Sequence, residues 1–227
     1  MKLSPRLAAI VRMIDLPTKV ADVGTDHAYI PIYLAQNTSC STIIASDAKE
    51  NPYQFAIENV KQMGLADRID VRLGSGLSVL NEGEVETVII AGMGSQTMQD
   101  IITADYELAQ NLERIILQPM AGAASLRKWL VKNNFKIIDE SLVKDERIYQ
   151  IIVVEPGSME LNDQFLLELG PILIQKREEL WEEYTTELIN KWNRIKNEII
   201  ENNPEHAKVA ELNEKIKKIK EIKGIKK

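Results

Sequence analysis

The chain has 227 residues, 44% of them hydrophobic, which suits one well-packed core with an appendage. Its net charge of −6 and pI near 5.2 exclude a protein that coats nucleic acid with its whole surface, so a polyanion partner requires a local basic patch. The single cysteine, Cys40, excludes an internal disulfide framework and favours a reducing cytoplasm. The first residues contain no long apolar run, so we expect no signal peptide and no membrane span.

Helices and strands alternate through the first two thirds of the chain. Ser4 and Pro5 predict a helix that runs to about Ile14. Two further helices are predicted, from Asn51 to Gly64 and from Ala123 to about residue 133. Strands are predicted at 20–23, 41–46, 69–73, 87–91, 114–118, 136–141 and 148–155.

This alternation predicts an α/β fold with a Rossmann-like, mostly parallel sheet. The first, fourth and fifth strands are uninterrupted apolar runs, as in sheets that helices cover on both faces. No helix separates the last two strands, which predicts an antiparallel hairpin at one end of the sheet. Several strands end in glycine or an acid, so we expect the functional site at their carboxyl ends.

The composition changes after Gly157. Apolar residues from Ile174 to Ile199 recur at steps of three, four or seven, which predicts one long helix with a narrow apolar seam. Asn203 and Pro204 break this helix, and a second seam follows at 209–222. We therefore predict an antiparallel helical hairpin whose seam serves packing, and two domains, 1–157 and 158–227.

The sequence V-A-D-V-G-T-D-H-A-Y-I-P, residues 20–31, is the candidate ligand-binding turn. A short strand turns at Gly24, and an apolar helix is predicted to begin at Ala28. A glycine turn between a strand and a helix N-terminus holds nucleotide-like ligands in open α/β sheets. The alternative is an ordinary strand-to-helix turn, because short glycine motifs are weak evidence.

Acids around this turn favour a cationic ligand. Dinucleotide-binding turns carry a second glycine where this chain has Asp26, and a carboxylate there repels a pyrophosphate. S-adenosylmethionine instead carries a sulfonium and an ammonium group, which Asp22 is placed to attract. Asp47 lies about 20 residues beyond the turn, where an acid accepts ribose hydroxyls. A solvated strand-end carboxylate is the alternative for Asp47.

Four motifs resemble the bacterial tRNA (adenine-22-N1)-methyltransferase family. They are D-V-G-T-D-H-A-Y-I-P, A-G-M-G at the fourth strand, I-L-Q-P at the fifth and L-R-K-W-L on the next helix. Two positions depart from the family pattern: Ser95 stands where A-G-M-G-G is usual, and Met120 where Q-P-N is usual. The second departure removes an amide that could contact the substrate.

This resemblance implies a class I methyltransferase domain, S-adenosylmethionine as cofactor and N1 of an adenine in tRNA as acceptor. It also implies the donor-binding residues. The methionine end is assigned to Asp22, Gly24, His27, Ala28 and Tyr29, the ribose to Asp47, the adenine to Gly74, Ser75 and Gly76, and the floor below the methyl group to Ala91, Gly92, Met93 and Gly94.

Methylation of a ring nitrogen requires mainly alignment. N1 of adenine carries an in-plane lone pair at neutral pH and the product is a cation, so a negative group near the ring favours the reaction. Asp26 is the candidate catalytic residue, with His27 and Tyr29 as orienting or stacking neighbours; a helix N-cap is the alternative role for Asp26. The fourth strand lacks an N-P-P-Y-type sequence, which argues against methylation of an exocyclic amine.

We expect no metal site, because His206 is the only histidine besides His27 and no Cys or His cluster surrounds either. Basic residues that could attract RNA fall into three groups: Lys2, Arg6 and Arg12; Arg127, Lys128 and Lys132; and eight lysines against four glutamates in 204–227. A solvated lysine-rich helix is the alternative for the last group.

Three functions compete: an RNA methyltransferase, a small-molecule or protein methyltransferase, and a non-catalytic nucleotide-binding protein that interacts with a partner protein. For the first of these we expect tRNA as the partner and a monomeric enzyme.

Overall fold

The computed structural model describes residues 1–160 and 163–224. Within them the chain forms one seven-stranded sheet flanked by helices. The strands are β1 Val20–Val23, β2 Ile43–Asp47, β3 Asp70–Leu73, β4 Thr87–Gly94, β5 Arg114–Ala121, β6 Phe135–Lys144 and β7 Ile148–Pro156. The helices are α1 Pro5–Arg12, α2 Tyr29–Asn37, α3 Glu50–Gln62, α4 Ser95–Ala104, α5 Tyr106–Gln110, α6 Ala123–Lys132, α7 Gln164–Leu169, α8 Pro171–Lys176, α9 Trp181–Asn202 and α10 Ala207–Gly224.

The sheet order is β3-β2-β1-β4-β5-β7-β6, and β1 to β5 all run parallel. β7 pairs antiparallel with both β5 and β6, which confirms the predicted hairpin at one end of the sheet. The strand order changes direction between β1 and β4, because the sheet grows from β1 towards β2 and β3 on one side and from β4 towards β5 on the other. A crevice therefore lies between the carboxyl ends of β1 and β4. In open α/β sheets that crevice is where ligands bind.

Alternate side chains of the central strands enter two separate cores. Val20, Ile43 and Ile89 pack on one face of the sheet, with α1 and α2. Ala21 and Val88 point the other way and pack with α4 and α6. Burial on both faces explains why these strands are continuous apolar runs, as predicted.

Most predicted elements are confirmed with shifts of one to three residues. The predicted helix to Ile14 ends at Arg12, and β4, β5 and β6 extend beyond their predicted ends. The predicted single helix through residues 174–199 is wrong. The chain leaves the helix after Lys176, with Arg177 at φ 47°, and α9 begins at Trp181. Ile174 and Trp181 lie seven residues apart, so the seam pattern does not reveal the break.

The chain divides into two compact units, Met1–Ile172 and Leu173–Lys227. The division falls after Ile172 rather than after Gly157 because α7 packs on the sheet unit: Leu167 is buried in its core and the Leu167 carbonyl accepts a hydrogen bond from Arg127. In the second unit α9 and α10 lie antiparallel, since Lys223 near the end of α10 bonds Thr186 near the start of α9. Trp192, Ile216 and other seam residues are buried there, as predicted for packing.

Candidate active site

The turn after β1 is anchored to the end of β2. Gly24 has φ 77°, and the N–H groups of Gly24 and Thr25 both donate to the Ser46 carbonyl at 2.8 Å. Asp26 and Ala28 then adopt left-handed conformations, at φ 53° and 54°, which non-glycine residues rarely do. α2 begins at Tyr29, one residue later than predicted. Ala28 occupies the N-cap position, so the alternative that Asp26 caps this helix is wrong.

A cleft of about 480 Å³ lies at the carboxyl ends of β1, β2, β3 and β4. Asp47 at the end of β2 lines it, and its carboxylate accepts the Lys49 N–H at 2.9 Å and the Asp26 N–H at 3.4 Å. The cleft therefore brings together most of the residues predicted to bind the donor. These are Gly24, Asp47, Gly74, Ser75, Gly76, Ala91, Gly92 and Met93, and the candidate catalytic residue Asp26 lines the cleft as well.

A second cavity of about 420 Å³ opens on the α1 side of the same turn. It contains Asp22 and Tyr29, which the first cleft does not, together with Arg6 from α1. The two cavities share four residues: Gly24, Asp26, Ala91 and Gly92. They therefore meet at the Gly24 turn and the end of β4, so that two ligands bound side by side would approach each other there.

Asp22 is a buried acid without a cationic partner among the described residues. Its side chain accepts a hydrogen bond from the Thr25 hydroxyl at 2.6 Å, and only 7% of the residue is exposed. Burial raises the pKa of Asp22 to about 6; the Thr25 hydrogen bond opposes this shift and the negative charge of Asp47 adds to it. A cationic group bound in the cavity would favour the charged form of Asp22.

Of the remaining predicted residues, Asp26 is exposed, whereas His27, Ala28 and Gly94 line neither cavity. The Asp26 side chain is 64% exposed, and its carboxylate lies 3.7 Å from Nε2 of His27. His27 lines neither cavity, but its ring stacks on Tyr29 with centroids 5.3 Å apart. Ala28 is fully buried and Gly94 forms the N-cap of α4, and neither lines a cavity.

Arg6 lines the second cavity, although its sequence context identifies it only as one of three basic residues near the N-terminus. Its Nη1 donates to Oε1 of the buried Gln118 at 2.7 Å, and its guanidinium carbon lies 5.7 Å from the centre of the Tyr149 ring. No carboxylate among the described residues pairs with this guanidinium. The sequence signal for this contact is the I-L-Q-P motif, whose glutamine, Gln118, is the partner of Arg6. Because the two residues lie 112 positions apart, no local spacing connects them.

Arg127 does not belong to a basic surface patch, so that prediction is wrong. The side chain is fully buried, and its guanidinium bonds Glu140 at 2.5 Å and Gln150 at 2.7 Å. Its neighbour Lys128 pairs with Glu168 at 3.8 Å. On α10, three lysines form i,i+4 ion pairs, namely Lys215 with Glu211, Lys217 with Glu221 and Lys218 with Glu214.

Both departures from the family pattern lie beside the site. Ser95 is the first residue of α4, and its hydroxyl lies where a side chain on Gly122, at φ 80°, would clash. The Met120 sulfur lies 3.9 Å from the Gln118 amide nitrogen, and the Met120 carbonyl accepts a hydrogen bond from Arg147 at 2.6 Å. Met120 therefore supports the Gln118 side chain through its thioether.

Two further kinds of site are absent from the described residues. No three His, Cys, Asp or Glu side chains there are grouped as ligands of a metal ion. In the same residues, no helix combines the length and apolarity needed to cross a bilayer.

Comparisons with known proteins show which family this chain resembles. Residues 20–221 match the model of the family described as tRNA (adenine(22)-N(1))-methyltransferase. The Bacillus subtilis tRNA (adenine(22)-N(1))-methyltransferase is 37% identical over 158 residues, which cover 69% of this chain and 66% of that enzyme.

Solved structures extend the similarity over nearly the whole chain. Streptococcus pneumoniae Sp1610, in complex with S-adenosyl-L-methionine, is 33% identical with a TM-score of 0.82, covering 97% of this chain and 99% of that one. TrmK of M. capricolum, in complex with S-adenosyl-homocysteine, is 32% identical with a TM-score of 0.82, covering all of both chains.

Proposed function

Because this chain belongs to the tRNA (adenine(22)-N(1))-methyltransferase family, we propose that it transfers a methyl group from S-adenosylmethionine to N1 of adenine 22 in tRNA. The observation that carries the proposal is the pair of cavities that meet at Gly92, one for the donor and one for the acceptor. We further propose that the enzyme acts in the cytoplasm and as a monomer; the single cysteine, Cys40, supports a reducing compartment.

The residues on both sides of the Gly24 turn fit the donor: its adenosine lies in the cleft, and its ammonium group reaches Asp22, which lines the second cavity. S-adenosylmethionine supplies an electrophilic methyl group bonded to a positively charged sulfur. Asp22 binds its ammonium group, directly or through water, because this buried acid lacks a cationic partner in the described part of the chain. Asp47 accepts the ribose hydroxyls at the end of β2, and Gly74 and Gly76 border the adenine.

The chain accelerates the transfer by alignment and by charge. Adenine N1 attacks with its lone pair, so no general base is required, and positive charge moves from the sulfur to the adenine ring. Asp26 lines both cavities and therefore lies where its carboxylate stabilises that charge. In folded tRNA the Watson–Crick edge of the base is usually engaged, so adenine 22 turns out of its stack to enter the acceptor cavity beside Tyr29.

The test is a methyl-transfer assay on unmodified tRNA, with mass-spectrometric mapping of the product. We expect 1-methyladenosine at position 22, and no product on tRNA in which this adenine is replaced by guanine. Transfer only to small molecules or protein in an RNA-free extract would show that the acceptor is wrong. Calorimetric titration that detects no binding of S-adenosylmethionine would instead favour a non-catalytic nucleotide-binding protein.

Two substitutions separate the roles of the acids. Asp47→Ala removes the ribose acceptor and is expected to weaken donor binding. Asp26→Ala leaves the buried part of the cleft intact and is expected to lower kcat with little change in donor affinity. The opposite pattern would exchange the two assignments.

We also propose that the α9–α10 hairpin is a tRNA-docking arm, which the excess of lysine in 204–227 supports. Lys208, Lys217 and Lys220 are exposed on α10. Their triple substitution by alanine is expected to reduce tRNA affinity and its salt dependence while donor affinity stays unchanged. Full tRNA affinity in this variant would leave the hairpin without a docking role.

A further inference from the structure

Three aromatic rings form a continuous row on the surface beside the acceptor cavity. His27 lies in the middle, with its ring centroid 5.3 Å from that of Tyr29 and 5.5 Å from that of Phe55. Both pairs are stacked, with 20° between the ring planes. Tyr29 lines the acceptor cavity, so the row leads from that cavity onto α3, which carries Phe55.

The exposure of this row is unusual in this chain. The sequence contains three Phe, three Trp and six Tyr residues, and all lie within the described residues. Only two of them are exposed, namely Tyr29 at 42% and Phe55 at 49%, and both stack on the same histidine. Single exposed apolar residues need no explanation, but an aligned group beside a cavity indicates a binding surface.

The backbone holds the middle ring of the row in place. Asp26 and Ala28, on either side of His27, have left-handed conformations, and such strain collects where function requires a fixed geometry. The Asn59 side chain on α3 donates a hydrogen bond to the His27 carbonyl at 3.1 Å. This bond ties the turn to the helix that carries Phe55.

We propose that this aromatic row, defined by Tyr29, His27 and Phe55, binds an unpaired RNA base next to the methylated adenine, with Phe55 as its outer stacking surface. Aromatic rings are the side chains on which extruded and single-stranded bases stack, because every base has a π-face. When adenine 22 leaves its helix to reach the cavity at Tyr29, the neighbouring base loses its own stacking partner. The aromatic row supplies a replacement stacking surface for this base, one or two ring spacings from the cavity. This inference rests on the proposed function.

The test measures KM for tRNA with the full-length enzyme and saturating donor. Phe55→Ala is expected to raise KM between about 5-fold and 100-fold, the effect of losing one base–aromatic stack. Phe55→Trp keeps a π-face and is expected to retain near wild-type KM. Phe55→Leu keeps apolar packing without a π-face and is expected to behave like the alanine variant. Met63→Ala, at the end of α3 with 47% exposure, is the matched control and is expected to leave KM unchanged.

A modified substrate makes the test specific for a base. In tRNAs with an abasic nucleotide at position 21 or 23, the penalty of Phe55→Ala is expected to disappear for one of the two. An undiminished penalty on both abasic tRNAs, or a Phe55→Leu variant as good as wild type, overturns the proposal in favour of a non-base or protein contact. An unchanged KM in Phe55→Ala also overturns it. A wild-type enzyme that methylates no tRNA overturns the proposed function instead.

Discussion

The hairpin edge of the sheet and the crevice at its centre treat charged side chains in opposite ways. At the hairpin end, Arg127 and Glu140 are fully buried and compensate each other, and the Ile172 N–H donates a further hydrogen bond to Glu140. At the β1–β4 crevice, Asp22 in the second cavity is buried with a neutral hydroxyl as its partner. Nearby, Arg6 is held by a neutral amide and an aromatic ring.

This difference distinguishes a charged pair that stabilises the fold from charged groups that are available to bind a ligand. A buried pair whose charges are satisfied by the protein has nothing left to bind, and it defines how β6, β7 and α6 fit together. An uncompensated buried charge destabilises the free protein, and that free energy is recovered when a ligand of opposite charge binds. The second cavity is lined by uncompensated groups of both signs, Asp22 and Arg6, which suits a cationic donor and an anionic RNA.

The largest expected effect comes from breaking the compensated pair. Glu140→Gln leaves the Arg127 charge buried without a counter-ion and is expected to lower the free energy of unfolding by about 3–5 kcal/mol. Urea denaturation at neutral pH measures this loss. Glu155→Gln, which breaks the exposed Lys136–Glu155 pair at 3.2 Å, is the control and is expected to lose less than about 1 kcal/mol. Equal losses in the two variants would contradict the distinction.

Asp22→Asn is expected to change stability in the opposite direction. The pKa of Asp22 is about 6 in the fold, above its unfolded value, so its contribution to stability is lost as the pH rises through 6. Without that acid, the unliganded protein at pH 7.5 is expected to gain about 1–3 kcal/mol in unfolding free energy. Donor affinity is expected to fall by about 2–3 kcal/mol, because the ammonium group loses its counter-charge.

Thermal melting with and without S-adenosylmethionine measures both effects in one experiment. A higher melting temperature without donor, together with a smaller rise on adding donor, is the expected pattern. A variant that is destabilised and still binds donor normally would show that Asp22 is a structural residue.

The pH dependence of donor binding tests the same group without a mutation. Below pH 6 the free enzyme carries protonated Asp22, and binding of a cation must release that proton. The association constant is therefore expected to fall by up to about tenfold per pH unit below 6 and to level off above 7. Calorimetry in two buffers of different ionisation enthalpy detects the released proton. A flat profile between pH 5 and 7, or the same slope in Asp22→Asn, would contradict the assignment.

The sequence predicts the uncompensated acids better than the compensated pair. Asp22 lies within the apolar strand β1 and Asp47 ends β2, at positions that local pattern alone defines, and the parallel fold brings them to one edge. Arg127 is different, because charge alone places it on the surface. Its spacing does contain a signal: together with Ala123, Leu126 and Leu130 it occupies the buried i, i+3, i+4, i+7 stripe of α6.

Contacts between distant segments are what sequence analysis cannot supply. Arg6 and Gln118 belong to α1 and β5, and only the completed sheet brings them together. The break between α8 and α9 is hidden for a related reason. Residues on both sides continue the same apolar period, so the pattern of buried faces is the same with or without the break.

The smallest expected effect concerns the other uncompensated charge. Arg6 borders the acceptor cavity with its guanidinium fixed by Gln118, so its charge is placed to attract a phosphate of the target nucleotide. Arg6→Ala is expected to raise KM for tRNA about fivefold and to reduce the salt dependence of binding by about one counter-ion, with donor affinity unchanged. Arg12→Ala removes the same charge from the exposed end of α1 and serves as the control. Arg6→Lys keeps the charge without the planar fork of the guanidinium. A wild-type KM in this variant would assign the effect to charge. A KM as high as in Arg6→Ala would assign it to the geometry that Gln118 imposes. Unchanged KM and salt dependence in Arg6→Ala would place the RNA backbone elsewhere, so that of these two uncompensated groups Asp22 alone would bind a ligand.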